Sequence, residues 1–173
     1  MGTVFFAGVY GVGKSTIVAK LSARSGLPAF SAGDLISEKN GELYGANKLV
    51  SDKDSNQQIL IQCVADRLKT HPKIILAGHF CIASKDGGIE QLPDYVFDGI
   101  ALEKIILLEA SPNKIVSNLN KRDSKDYSID FIKKMLHKER FAADVTSKRL
   151  QIPLVIYKMT FSELDELILA SQF

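Results

Sequence analysis

Residues 8–15, Gly8-Val9-Tyr10-Gly11-Val12-Gly13-Lys14-Ser15, match the pattern G-x-x-x-x-G-K-[ST] at every fixed position. The match follows an apolar run, Thr3–Ala7, and opens a stretch with helical spacing, Lys14–Ser25. Glycines at the fixed positions allow backbone conformations that a Cβ forbids, so that successive N–H groups point inward and form a cradle for an anion. The N-terminus of the following helix adds its dipole. The segment, called the phosphate loop below, therefore predicts a nucleotide-phosphate site.

The alternation of short apolar runs and amphipathic stretches continues along the chain. Further strands are predicted at Pro28–Ser31, Lys73–Ala77, Lys104–Leu108 and Pro153–Tyr157. Further helices are predicted from Asp34, over Ser55–Thr70, from Ser111 to about Asn120, over Ile129–Leu150 and from Ser162. Strands that alternate with helices are typical of a mostly parallel sheet. We therefore expect an α/β fold in three layers, as a single domain over residues 1–173.

The composition narrows the function classes. The chain has 173 residues and a formal net charge of +2, with 22 Lys and Arg against 20 Asp and Glu. This balance argues against binding to nucleic acid or to an anionic membrane, because both need a strongly basic surface. No apolar run approaches the roughly 18–20 residues of a membrane span. We expect a cytoplasmic protein without a membrane or nucleic-acid partner, and the sequence does not indicate its oligomeric state.

Five segments beyond the phosphate loop carry a family likeness. They are Ser31–Ile36 (SAGDLI), Lys48–Gln57 (KLVSDKDSNQ), Ile105–Ser111 (IILLEAS), Asn120–Asp123 (NKRD) and Glu139–Ala143 (ERFAA). Together with the loop they resemble the nucleoside monophosphate kinases, most closely the short archaeal-type adenylate kinases. The resemblance implies a P-loop NTPase fold, with a central five-stranded parallel sheet in the order 2-3-1-4-5 and a short lid at about residues 121–128.

The resemblance also implies a reaction, the transfer of the ATP γ-phosphoryl group to a nucleoside monophosphate or a similar small acceptor, with Mg²⁺ as cofactor. In the phosphate loop, Lys14 would reach the β- and γ-phosphates as a point charge, and the Ser15 hydroxyl would ligate the metal. The predicted ATP contacts are Gly8, Gly11, Val12, Gly13, Lys14, Ser15 and Thr16. The predicted partners are thus a nucleotide donor and a small phosphate acceptor.

Two arginines are predicted to neutralise the transferred group together with Lys14, because phosphoryl transfer depends on cations around the moving phosphoryl. Arg122 opens the polar segment Lys121–Ser128, from which it could fold onto a phosphate; a solvated surface charge is the alternative. Arg140 falls by helical spacing on an otherwise apolar stripe with Ile132, Leu136 and Ala143. An inward-facing arginine needs either an internal carboxylate or a ligand phosphate.

The sequence departs from the family at three positions. Ser37 and Lys48 stand where the family has arginine, and Ala77 ends the third strand where the family has the Asp that orders Mg²⁺. Asp34 is the predicted substitute carboxylate, with a catalytic role, and Glu109 is the second choice. Asp34, Lys48 and His79 are the predicted acceptor contacts; His79 follows strand three at the carboxyl edge of the sheet, where ligands bind in this fold class.

Two other functions stay open at this point. The first is a kinase for the 5′-hydroxyl of a polynucleotide or for a metabolite alcohol, in which Asp34 would act as general base. The second is a nucleotide-binding or ATPase module that works with a partner protein. The missing strand-three Asp and the missing acceptor-site arginine favour the second, because loss of such a carboxylate typically costs about 10–100-fold in affinity or activity.

Overall fold

Strands and helices alternate along the chain in the computed structural model, which describes residues 2–40, 53–123 and 126–173. The strands are β1 Gly2–Ala7, β2 Ala29–Ser31, β3 Lys73–Ala77, β4 Cys81–Ala83, β5 Ile89–Gln91, β6 Leu102–Glu109 and β7 Leu154–Lys158. The helices are α1 Lys14–Ser25, α2 Ala32–Asn40, α3 Lys53–Thr70, α4 Asp94–Gly99, α5 Pro112–Asp123, α6 Ile129–Leu150 and α7 Glu163–Ala170.

Five parallel strands form the central sheet, in the order β2-β3-β1-β6-β7. Counted over the strands of this sheet alone, the order is 2-3-1-4-5, so the predicted fold class and topology are confirmed. The antiparallel hairpin β4–β5 and the short helix α4 were not predicted. The strands of the hairpin have three residues each, which is too short for a two-residue periodicity to stand out.

The register of β1 with β3 brings two chain segments together above the sheet. Phe6 pairs with Ala77, so that the phosphate loop and residues 78–80 leave adjacent strands at the same edge. All residues of β1 are buried, and β1 lies between β3 and β6 and pairs with both. This central position fixes the start of the phosphate loop.

Three helix boundaries differ from the sequence expectation. Helix α2 begins at Ala32 rather than Asp34, and α3 begins at Lys53 rather than Ser55. Helix α5 continues to Asp123, so that residues 121–123 of the expected lid are helical, while 124–125 lie outside the described residues. Within the part of the chain that the structure describes, no helix combines the length and apolar character needed to cross a membrane.

Candidate active site

The phosphate loop has the backbone conformation that its glycines predict. Gly8, Gly11 and Gly13 have φ angles of 149°, 78° and 101°, which side chains rarely tolerate. A Cβ at Gly8 would lie 2.7 Å from the Leu108 carbonyl oxygen. Gly13 is also the N-cap of α1, and it has no side chain to occupy the N–H groups of the first turn. Those N–H groups, with the helix dipole, suit a bound phosphate.

Lys14 folds back over the loop that precedes it. Its side chain is buried, and its Nζ donates to the carbonyl oxygens of Gly8 at 2.5 Å and Val9 at 2.9 Å. Nζ also lies 3.4 Å from Nδ1 of His79. The ammonium group is therefore held at the mouth of the phosphate loop, within reach of any phosphate bound there.

A single cavity of about 710 Å³ spans the loop and the neighbouring strand ends. One side, called the donor side below for the role predicted for the phosphate loop, is lined by Tyr10, Gly11, Gly13, Lys14, Ser15 and Thr16, with Asn118 and Arg122 of α5. The other side, called the acceptor side below for the role predicted for His79, is lined by Ser31, Ala32, Gly33, Ala77, Gly78 and His79, together with apolar side chains such as Phe97. The volume lies within the range of roughly 300–1,000 Å³ usual for small-molecule sites. Of the predicted ATP contacts, Gly8 and Val12 are buried behind this wall.

His79 lies where the two sides meet. A carbonyl oxygen only accepts hydrogen bonds, so the 2.7 Å contact between Nδ1 and the Gly8 oxygen makes Nδ1 the protonated nitrogen. The imidazole also packs on Tyr10, with ring centroids 4.3 Å apart. The structure thus brings His79 to the phosphate loop itself, as well as to the acceptor side for which it was predicted.

Glu139 of α6 is the site residue that the sequence reasoning missed. Its side chain is 1% exposed and lies beneath the loop. Oε1 accepts from the backbone N–H groups of Gly8 at 3.1 Å and Phe80 at 2.9 Å, and Oε2 accepts from Cys81 at 2.8 Å. A buried carboxylate is tolerated when such donors replace its water. Nothing local in the sequence signals it, because all three donors lie at least 58 positions away.

Burial raises the pKa of Glu139 to about 7, because desolvation outweighs the three N–H groups and the attraction of Lys14. Between pH 4.5 and about 7, Glu139 therefore keeps its proton in the folded protein, whereas in the unfolded chain, where its pKa is 4.5, it has lost that proton. We expect this residue to destabilise the fold progressively as pH rises from 4.5 to about 7. Thermal unfolding of the wild type and Glu139→Gln across this range measures the effect: the Tm difference should shift in favour of the variant with rising pH. A pH-independent difference would contradict the assignment.

The prediction that Arg140 lies on the inward stripe of α6 is wrong. The buried residues of this helix are Ile132, Met135, Glu139, Ala142, Ala143 and Thr146, so the stripe is rotated by about one residue and Glu139 occupies its centre. Arg140 is exposed, and its Nε and Nη2 donate to the Glu109 carboxylate at 2.7 and 2.9 Å. The ion pair also engages Glu109, the second-choice metal carboxylate. Arg140 therefore pairs with a carboxylate at an exposed position rather than with an internal one.

Asp34 is not brought to the cavity. Because α2 begins two residues earlier than expected, Asp34 lies in its first turn and is exposed, while Ser31, Ala32 and Gly33 form the wall. The backbone N–H of Asp34 bonds the Ser31 hydroxyl at 3.4 Å. Asp34 is therefore not in a position to act as the general base or as the metal carboxylate for which it was predicted. Lys48, the third predicted acceptor contact, lies outside the described residues.

Arg122 does line the cavity, at the C-terminal end of α5. Its Nε and Nη2 donate to the carboxylate of Asp123 at 2.5 and 2.7 Å, and this contact raises the pKa of the guanidinium further above its ordinary value. The same carboxylate accepts a hydrogen bond from the hydroxyl of Tyr127. Arg122 is thus a permanent cation with a fixed anchor at the edge of the donor side.

The residues present fit a nucleotide triphosphate with Mg²⁺. Ser15 lines the cavity beside Lys14, where its hydroxyl could ligate the metal together with phosphate oxygens and water. Ala77 and Gly78 occupy the end of β3, as the sequence indicated. Among the residues described, no group of three or more His, Cys, Asp or Glu side chains could hold a metal without a phosphate. A single hydroxyl ligand such as Ser15 suits a metal ion that binds together with the nucleotide phosphates.

Comparison with known proteins places the chain in a family. The family model AAA_17, described as an AAA domain, matches residues 7–135, which include the phosphate loop and the acceptor side of the cavity. No curated protein sequence gives a significant match.

Solved structures with similar folds include three kinases. A shikimate kinase from Bacteroides thetaiotaomicron has a TM-score of 0.59 at 12% identity, over 99% of this chain and 95% of the other. A sugar kinase from Janibacter sp. HTCC2649 has 0.59 at 13%, over 99% and 92%. A gluconokinase from Sinorhizobium meliloti 1021 has 0.55 at 14%, over 98% and 89%. These identities relate the folds alone. The chain therefore belongs to the AAA domain family and has the fold of the P-loop kinases.

Proposed function

We propose that the protein is an ATP-dependent phosphotransferase that moves the γ-phosphoryl group to a small acceptor, a nucleoside monophosphate in the first instance. One observation carries the proposal: a single cavity joins the phosphate loop to a second side formed by strand ends, and Lys14 and His79 are in contact where the sides meet. Donor and acceptor held in one cavity is the arrangement that direct phosphoryl transfer requires.

The donor side of the cavity binds the phosphates of ATP and Mg²⁺. The phosphate loop and the first turn of α1 bind the nucleotide phosphates, and Lys14 exchanges its carbonyl contacts for phosphate oxygens. Arg122 adds positive charge at the edge of the donor side, in a lid that we assign to about residues 121–128 of one domain spanning residues 1–173. Bound Mg²⁺ supplies charge neutralisation at the phosphate oxygens, with Ser15 as its protein ligand.

The nucleoside monophosphate class rests on the resemblance of the sequence segments and on the chemistry of the acceptor side. A phosphate acceptor is already an anion and needs no general base. Carboxylates on the cavity wall, among the residues described, are Glu163 and Asp165, and Asp165 is already bound by Tyr157, Thr160 and Phe161. Both lie away from β3, so that neither replaces the Asp missing at Ala77.

A hydroxyl acceptor is the second candidate, and His79 favours it. With its proton on Nδ1, the imidazole has Nε2 as its basic nitrogen, on a ring that lines the cavity beside Lys14. The solved structures with this fold include kinases named for gluconate and shikimate, which are alcohols. The acceptor side of the cavity also favours a kinase over a simple ATPase module, because hydrolysis of ATP needs no binding site for an acceptor.

ADP formation from MgATP tests the proposal. The rate is measured with MgATP alone, with each nucleoside monophosphate, with gluconate and shikimate, and with a 5′-hydroxyl oligonucleotide. We expect one nucleoside monophosphate to stimulate ADP formation strongly. Stimulation by an alcohol alone would favour the second candidate, and equal ATP loss in every mixture would overturn both in favour of an ATPase module.

The two arginines predicted from the sequence should now differ in effect. Arg122→Ala is expected to lower kcat about 10–100-fold, because it removes a cation from the cavity edge. Arg140→Ala removes an exposed ion pair and should change kcat by less than about threefold. Steady-state kinetics with the preferred acceptor measures both. A larger loss in Arg140→Ala than in Arg122→Ala would restore the original assignment of Arg140.

A further inference from the structure

Glu139 joins two segments that are far apart in sequence and adjacent at the site. One oxygen, Oε1, accepts from both Gly8 in the phosphate loop and Phe80 beyond the end of β3. The second oxygen accepts from Cys81, the first residue of β4. The carboxylate therefore fixes the start of the donor side and the chain that carries His79 with a single rigid group.

Gly8 is held on both of its polar groups. Its N–H donates to Glu139, while its carbonyl oxygen accepts from Lys14 and from Nδ1 of His79. A nucleotide phosphate that attracts Lys14 removes one of the partners of the carbonyl. The remaining contacts of Gly8 then run to Glu139 and His79, which both lead to residues 78–82 on the acceptor side.

We propose that Glu139 is a positioning residue that couples the phosphate loop to residues 78–82, so that occupancy of the donor side reorganises the acceptor side. The geometry gives the coupling a physical carrier, since one oxygen bridges both segments and is shielded from water that could replace it. Coupling of this kind is reciprocal, so an acceptor must change nucleotide affinity by the same factor. Only the kinetic consequence of the proposal rests on the proposed function.

Two substitutions of Glu139 test the bridging oxygen Oε1 separately from the second oxygen Oε2. Glu139→Gln keeps one acceptor oxygen, which can still bridge Gly8 and Phe80, but turns an amide N–H₂ toward the N–H of Cys81. Glu139→Met keeps the length and removes every strong acceptor. Asp144→Asn is the matched control: it makes a similar change on the exposed face of the same helix, where Asp144 pairs with Lys148.

Hydrogen exchange of backbone amides, with and without a non-hydrolysable ATP analogue and Mg²⁺, measures the coupling directly. In the wild type and Asp144→Asn, the analogue should slow exchange in residues 8–16 and also in residues 78–82. In Glu139→Met the protection should be confined to residues 8–16, and in Glu139→Gln it should be lost at Cys81 first. Protection of residues 78–82 that persists in Glu139→Met, or that is absent from the wild type, would overturn the proposal.

The kinetic arm distinguishes coupling from a merely structural role. At a temperature where each variant is folded by circular dichroism, kcat in Glu139→Met should fall about 10–100-fold with the KM for ATP within about threefold, because misplacement by 1 Å can cost 100-fold. A lower Tm with unchanged kcat would mean that Glu139 only stabilises the fold. If the analogue protects residues 78–82 but no acceptor is phosphorylated, the coupling proposal stands and the proposed kinase function fails. If an acceptor is phosphorylated but residues 78–82 are not protected, the kinase function stands and the coupling proposal fails.

Discussion

Replacing Lys14 with alanine is expected to lower kcat for acceptor-dependent ADP formation by at least about 100-fold, the loss typical of removing one donor that stabilises a developing charge. The ammonium group is buried at the mouth of the phosphate loop, where it contacts Gly8, Val9 and His79. Charge on the transferred phosphoryl group would be left without this compensation in a site of low dielectric constant. Initial rates of ADP formation at saturating MgATP measure the loss.

The control for Lys14→Ala is Lys133→Ala on α6. Lys133 is exposed and lies 3.9 Å from Asp130 one turn away, so its loss should leave kcat unchanged within about twofold. Circular dichroism of both variants shows whether the fold is retained. If Lys14→Ala keeps a rate within threefold of the wild type while folded, the phosphate loop is not the donor site.

Replacing Gly8 with alanine should damage both stability and nucleotide binding. The residue has a φ of 149°, and a Cβ there would approach the Leu108 carbonyl oxygen to 2.7 Å, a backbone atom that cannot rotate away. The backbone strain and the overlap each cost about 1–3 kcal/mol. Relief of the overlap would also move the N–H that Glu139 binds. Urea unfolding should show a loss of about 2–6 kcal/mol, with a large fall in affinity for MgATP.

Gly26→Ala is a control in which a positive φ occurs without an overlap. Gly26 ends α1 with a φ of 73°, and a Cβ there would meet no atom within 4 Å. Only the left-handed backbone penalty applies, about 1–2 kcal/mol. We expect MgATP affinity to be unchanged in this variant. Equal losses in the two glycine variants would mean that the contact with Leu108 contributes nothing.

The phosphate loop and the five-stranded sheet could be predicted because their signals are local. The glycine spacing encodes the loop conformation, and continuous apolar runs such as Lys73–Ala77 encode buried strands. The start of α2 and the β4–β5 hairpin were harder, since three-residue strands and the frayed ends of helices leave little periodic signal. The error at Asp34 follows from a helix start displaced by two residues.

The inward face of α6 carries Glu139 and not Arg140, which shows that local spacing alone does not fix the buried face of a helix. Three apolar residues define a helical stripe only to within about one residue, or roughly 100° around the axis. Burial of a glutamate contradicts the usual preference for charged residues at the surface. The N–H groups of Gly8, Phe80 and Cys81, which the fold brings together beyond the ends of β1 and β3, offset part of the cost of this burial. A contact of this kind is encoded by the tertiary structure rather than by the helix that carries it.

Transfer of label from [γ-³²P]ATP tests the central claim most directly. The protein is incubated with Mg²⁺, labelled ATP and each candidate acceptor, and the products are separated to show which molecule carries the label. We expect the label on a nucleoside monophosphate acceptor, with little inorganic phosphate, and transfer at least about 100-fold slower in Lys14→Ala. Label that accumulates only as inorganic phosphate with every acceptor would contradict the account.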